Sequence, residues 1–232
     1  MIEISFLTFD EDRDFPYYRN NPRISKGAWV LLLFLVPFGL ITTALFDNEL
    51  LAGIYFCFIL LIPLLYFSNW DYKLLFHRPT KNELILAVLM FIVYMVYSIA
   101  MGSVLEIFQL VPAGAESAFQ DIDIISLVSL LFSMMGEELL KFIPLMFFMR
   151  VFFRFTNRRN LSFVLSMILV LVFFAFLHYE PSTTSLVSIL LLQGAGSLVE
   201  MYGYAKTKNL LVPYISHLLT DGFVFTIILL GF

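Results

Sequence analysis

Residues 124–153 read IISLVSLLFSMMGEELLKFIPLMFFMRVFF. Crossing about 30 Å of hydrocarbon takes roughly 20 apolar helical residues, and these 30 residues would run roughly 45 Å as a straight helix. The segment must therefore tilt, protrude or break, and Pro144, which removes one backbone hydrogen bond, offers a place for a kink. Near its middle stand Glu137, Glu138 and Lys141. An ionisable side chain at that depth costs a few kcal/mol on insertion scales, so it marks a functional site or a buried pair.

Working outward, six more apolar stretches run over about 27–46, 50–67, 83–101, 161–178, 183–203 and 210–231, for seven in all. Of the 232 residues, 60% are hydrophobic, 17% aromatic and 14% charged, with a mean hydropathy of +0.90. Soluble domains are nearer 45–50% apolar and roughly 25% charged. The composition therefore excludes a soluble globule, a disordered chain and a disulfide scaffold. It predicts an all-α polytopic membrane protein of about seven transmembrane helices.

Residues 1–26 read as a hydrophilic tail, 27–101 as three N-terminal helices and 102–123 as an extracytoplasmic loop with a short interfacial helix near 104–111. Residues 124–232 read as a four-helix core. The basic residues fall before span one (Arg13, Arg19, Arg23, Lys26), between two and three (Lys73, Arg78, Lys81), at the end of four (Arg150, Arg154, Arg158, Arg159) and between six and seven (Lys206, Lys208). All basic residues but Lys141 thus lie on one side of a seven-span chain, which the positive-inside rule makes the cytoplasm. The N-terminus is expected inside, the C-terminus outside, and the protein in the cell (plasma) membrane. A net charge of −4 without a basic domain gives no sign of nucleic-acid binding. The single cysteine, Cys57, lies in an apolar run and permits no intrachain disulfide.

Interior ionisable groups are confined to the second half: Glu137, Glu138, Lys141, His178, Glu200, His217 and Asp221. Adjacent on a helix, Glu137 and Glu138 point about 100° apart. Lys141, four and three residues on, can pair with either, but one lysine does not neutralise two carboxylates. His217 and Asp221, four apart, share a face, so Asp221 can fix the tautomer of His217 and aim its other nitrogen at a cavity. Glu200 reads mainly as structural, pairing with Lys206 or lining the cavity. Carboxylates and imidazoles around one cavity can activate a water, hold a metal or relay protons. HExxH, GxSxG and GxGD motifs are absent.

Three blocks in order, Gly136-Glu137-Glu138-Leu139-Leu140-Lys141-Phe142, Phe174-Ala175-Phe176-Leu177-His178 and His217-Leu218-Leu219-Thr220-Asp221, resemble the EExxxR, FxxxH and HxxxN/D motifs of the CAAX protease and bacteriocin-processing family. Its members are also called Abi-domain or type II CAAX prenyl endopeptidase-like proteins. The lead-in from Gly203 to Pro213 is similar to the family's as well. The family arginine position holds Phe142, with Lys141 one residue earlier, and the Glu-Glu-x-x-Lys pattern also resembles the first motif of anti-sigma-factor site-1 proteases. The resemblance implies an intramembrane glutamate-dependent endopeptidase acting on a membrane-embedded peptide or protein. In that family pattern Glu137 with His178 activates a water, His217 with Asp221 serves the oxyanion, and Glu138 supports them. No cofactor is expected; zinc held by His178, His217 and Glu137 is the alternative site chemistry. A non-enzymatic immunity or partner-binding protein and an ion-coupled transporter are the competing functions.

Overall fold

The computed structural model describes residues 13–110, 122–181 and 183–231. Among these the chain is helical and contains no strand. Helix α1 (Lys26–Thr42) is followed by α2 (Glu49–Phe67), α3 (Lys81–Ile107), α4 (Ile124–Thr156) and α5 (Arg159–Leu177). The sixth span is composite: α6 (Leu186–Ile189), a π-helical turn (Leu190–Ala195) and α7 (Leu198–Thr207). Helix α8 (Leu211–Leu229) closes the chain.

Polar side chains set the helix starts. Ser25, Asn48, Thr80, Asp123 and Ser185 each accept from a backbone N–H of the following turn, and Thr80 with Glu83 forms a reciprocal capping box. Six helical segments are long and apolar enough to cross a membrane: Lys26–Leu45, Glu49–Phe67, Lys81–Ile107, Arg159–Leu177, Leu186–Thr207 and Leu211–Leu229. Between 17% and 44% of each is buried inside the bundle, so most of their apolar surface faces outward, as lipid-contacting surface does. The seventh long helix, α4, has 33 residues and stands apart because it carries the interior charges. The protein is a multi-pass integral membrane protein.

Helix α4 is the hub, packing on α1, α2, α5 and α8, while α3 packs on α7, α8 and the π turn. Its closest neighbour is α2, and Gly136 explains the approach: a Cβ there would stand 2.4 Å from the Phe56 ring. Despite Pro144, α4 is one continuous element. Three boundaries depart from expectation. Residues 102–107, placed in a loop, are the last turns of α3; residues 111–121 of that loop, residues 1–12 of the tail and Phe232 lie outside the described residues. The span expected over 183–203 starts at Leu186 and changes to π geometry before Ser197.

The third departure is the tail. Phe15, Tyr17, Tyr18 and Ile24 are buried in the core with Trp29, Phe142, Phe163 and Tyr204, although charged neighbours make the segment look hydrophilic. Tyr17 Oη and Ser68 Oγ are 2.7 Å apart, Arg150 donates to the Ile24 carbonyl at 3.0 Å, and Arg159 Nε donates to Asp14 at 2.6 Å. The 71–78 loop is held to the α7–α8 turn by Asn209 Nδ2 donating to the His77 carbonyl (3.0 Å) and Leu210 N donating to that of Leu75 (2.9 Å). The connections rich in basic residues thus meet at one end of the bundle.

Candidate active site

The centre of the site is the ring of His217, buried on α8 and edged by two adjacent glutamates of α4. Nδ1 is 2.9 Å from Glu138 Oε1; Nε2 is 3.8 Å from Glu137 Oε2 and 3.6 Å from Asp221 Oδ2. Sequence spacing sets Glu137 and Glu138 about 100° apart, and the packing of α8 against α4 reconciles this with a shared target by inserting one imidazole between them. Each carboxylate addresses a different ring nitrogen. The tautomer-fixing hydrogen bond that spacing alone gave to Asp221 belongs to Glu138.

Behind Glu138 lies a second layer. Lys141 Nζ donates to Glu138 Oε1 at 2.6 Å and also to Glu200 Oε2, while Glu200 Oε1 stands 3.8 Å from His217 Nδ1. The side chains of Glu138, Lys141 and Glu200 are 4%, 1% and 6% exposed. Because Glu138 is engaged by an ammonium it acts as a carboxylate, a pure acceptor, so His217 Nδ1 carries the proton of their hydrogen bond. Two buried carboxylates and one ammonium leave a single negative charge, which an imidazolium at His217 balances. In that state Nε2–H points toward Glu137 and Asp221, whose side chains are 24% and 32% exposed.

Glu200 has the structural role its sequence reading favours, but with a different partner. Its partner is Lys141, 59 positions away, rather than Lys206. The signal was present, since a lone carboxylate in an apolar span requires a cation and Lys141 was the interior cation available. Phe142, at the family's arginine position, turns away and packs edge-on to Tyr204 and Tyr17, with ring centroids 5.4 and 6.4 Å apart. The neighbouring Lys141 is the one of the two that faces the buried carboxylates.

His178 caps the end of α5, which stops at Leu177. Its Nδ1 lies 2.9 Å from the Phe174 carbonyl and its ring is edge-on to Phe174 at 4.6 Å. Lys141 Nζ stands 4.7 Å from that same Phe174 ring, so one aromatic ring separates His178 from the buried ion cluster. His178 and Glu137 both lie within electrostatic range of Asp221. The structure therefore joins Glu137, Glu138, His217 and Asp221 directly, with His178 at the periphery.

Ligand atoms of Glu138, Glu200 and His217 fall within 4.8 Å of one another, a spacing that could hold a metal ion. This trio differs from the His178, His217 and Glu137 set expected from sequence. Lys141 already stands as the cation between the two carboxylates, so a metal would have to displace it. Beside Asp221 a cavity of about 310 Å³ opens between α3, the π turn and α8, lined by Tyr94, Met95, Ser98, Gln193, Thr220 and Asp221 among others. Gln193 Oε1 is buried there without a hydrogen-bond partner among the described residues.

Residues 120–223 match the model of the type II CAAX prenyl endopeptidase Rce1-like family. Over these residues the chain is similar to the Rce1-like family. Its members are generally proteases. No curated protein and no solved structure matches the chain. The Rce1-like region runs from just before α4 into α8, so it contains Glu137, Glu138, Lys141, His178, Glu200, His217 and Asp221. Tyr94, Met95 and Ser98 of the cavity come from α3, outside it.

Proposed function

We propose that the protein is an intramembrane glutamate-dependent endopeptidase that hydrolyses a peptide bond of a membrane-associated peptide or protein with an activated water. The observation that carries this reading is the opposition of Glu137 Oε2 and His217 Nε2 at 3.8 Å. That separation exceeds a direct hydrogen bond and suits one bridging oxygen. Glu137 takes a proton from water; the hydroxide adds to the scissile carbonyl carbon; His217 Nε2–H donates to the resulting oxyanion. The C–N bond then breaks, and the proton held by Glu137 passes to the leaving amine. Asp221 steadies the His217 ring from its Nε2 side, and His178 acts on the site from the periphery, within electrostatic range of Asp221.

Glu138, Lys141 and Glu200 hold His217 in register and keep its surroundings neutral. The cavity at Asp221 is where the substrate chain would approach, with Gln193 available to accept a backbone N–H. The cytoplasmic N-terminus, supported by the distribution of basic residues, and the plasma membrane belong to the same reading. Purified protein reconstituted in liposomes tests it with a membrane-anchored peptide library: Glu137→Ala and His217→Ala should each abolish cleavage and His178→Ala should lower it, while the protein remains inserted and monodisperse. Cleavage retained in all three variants would overturn the assignment.

The spacing of Glu138, Glu200 and His217 favours one second reading, a metal-dependent hydrolase. Metal analysis of protein purified without chelator separates the two: stoichiometric zinc removed together with activity supports the metal.

A further inference from the structure

At the end of the bundle where the basic connections meet, a cavity of about 650 Å³ lies between the N-terminal segment, the 71–78 loop and the α7–α8 turn. Its lining includes Arg13, Lys73, His77, Arg78 and Lys208, with Asp14 as the carboxylate among the described lining residues. Asp14 is already engaged, accepting from Arg159 Nε at 2.6 Å, Tyr18 Oη at 2.7 Å and Phe15 N at 2.8 Å. Among the described lining residues the concavity therefore presents the basic groups of Lys73, Arg78 and Lys208, with His77 lying 3.4 Å from Glu83, and no unengaged carboxylate.

The walls are built rather than incidental. The Asn209–His77 and Leu210–Leu75 hydrogen bonds fix one side, and the Tyr17–Ser68 and Arg159–Asp14 contacts fix the other. Lys208 is held in a left-handed conformation, φ +49°, which an L residue adopts at a cost. Its ammonium stands over the Phe15 ring, 5.2 Å from the centroid, and 3.5 Å from the Lys206 carbonyl. Partial burial, reinforced by Arg159, lowers its pKa to about 8 against the pull of Asp14. A half-desolvated ammonium beside a guanidinium is relieved by a bound anion, and guanidinium and ammonium groups around a wide concavity suit a phosphate with several oxygens.

We propose that this cavity is a phosphate-binding site, occupied by the phosphate of an anionic lipid headgroup or of a soluble phosphate ester. It is separate from the His217 site, shares no residue with it, and does not depend on the peptidase reading.

The test uses the full-length protein in nanodiscs of a zwitterionic lipid, in phosphate-free buffer. One arm titrates inorganic phosphate; the other titrates water-soluble short-chain phosphatidic acid. Binding is followed by calorimetry for the wild type, the pocket variant Lys208→Gln/Arg78→Gln and the control Lys81→Gln/Arg154→Gln, which removes the same charge outside the cavity. The pocket variant should bind at least about tenfold more weakly, two charge-assisted contacts being lost, and the control should match wild type. Binding of both probes marks the phosphate group alone as the ligand; binding of phosphatidic acid only marks a lipid site. Equal weakening in pocket variant and control, or no saturable binding of either probe, overturns the proposal. If the double variant does not fold, the exposed single change Lys73→Gln replaces it under the same criteria. Asp10, Glu11 and Asp12 precede Arg13 in the chain, so Asp10→Asn/Glu11→Gln/Asp12→Asn should bind at least as tightly as wild type. Loss of binding in that variant also overturns the proposal.

Discussion

The two sides of the His217 ring solve opposite problems. On the Nδ1 side, Glu138, Lys141 and Glu200 form a cluster almost without solvent, in which every charge has a partner. On the Nε2 side, Glu137 and Asp221 are partly exposed and lie beyond hydrogen-bond distance of the ring, and Asp221 borders a cavity. Charge that water cannot reach must be neutralised by protein, whereas a group that performs hydrolysis must reach water and substrate. One imidazole spans both regions: the buried side orients it, and under the proposed peptidase reading the open side uses it.

The largest effect should come from the buried side. Lys141→Met leaves Glu138 and Glu200 facing each other without a cation, and removing one partner of a buried ion pair costs about 3–5 kcal/mol. Thermal unfolding in detergent, with recovery of monodisperse protein as the second readout, should show that loss or no folded protein at all. Adding Glu138→Gln and Glu200→Gln to Lys141→Met should restore part of it. A loss under about 1 kcal/mol for Lys141→Met alone would break the division into a neutralised and an open side.

Next comes Glu137→Gln, its counterpart across the ring. Cleavage should fall by about 10²- to 10⁴-fold, the usual contribution of a general base, while stability moves by no more than about 0.5 kcal/mol, as for a partly exposed residue outside a buried pair. A variant that unfolds instead of losing activity would place Glu137 among the structural charges.

Much of this contrast was legible in the sequence. Seven apolar segments, the first three without ionisable groups in their interiors, follow from composition and window length alone, because hydrocarbon imposes helix length and forbids unpaired charge. Glu137, Glu138, His217 and Asp221 stood out for the same reason. Spacing along one helix did not reveal which carboxylate holds which nitrogen: the Glu138–His217 hydrogen bond joins residues 79 positions apart, and the Lys141–Glu200 bond joins residues 59 apart. Spacing placed Asp221 near His217 but gave no means to see that Glu138 was nearer. The tail misled for a related reason, since Phe15, Tyr17 and Tyr18 alternate with charges that turn outward while the aromatic rings turn in.

Smaller effects should follow from the packing that holds the two regions in register. Gly136 immediately precedes the glutamate pair, and a Cβ there would fall 2.4 Å from Phe56 Cδ1 and 2.8 Å from Cε1. Gly136→Ala should therefore push α4 from α2 and cost about 1–3 kcal/mol, the usual price of overpacking, while displacing Glu137 from His217. Phe56→Leu in the same chain should recover both stability and cleavage. If Gly136→Ala matched wild type in both assays, the α2 contact would have no part in positioning the open side.

The smallest effect concerns a lysine that lacks the arrangement around Lys141. Lys141 is enclosed by two carboxylates; Lys208, at the end of the bundle, is desolvated beside Arg159 and Lys206 with Asp14 as its opposing charge, and its pKa is brought down to about 8. An unfolded lysine titrates near 10.4, so between about pH 8 and 10.4 the unfolded chain holds more protons than the folded one, and stability rises with pH across that window. Below about pH 8 both states are protonated and the penalty is present in full. Partial exposure and salt screening limit it to about 1 kcal/mol. In phosphate-free buffer Lys208→Gln should accordingly be more stable than wild type near neutral pH by about that amount, and the gap should close as pH approaches about 10. Unfolding curves for the two proteins that run parallel over this range would show that Lys208 is no more desolvated than a surface lysine, and would remove the contrast with Lys141.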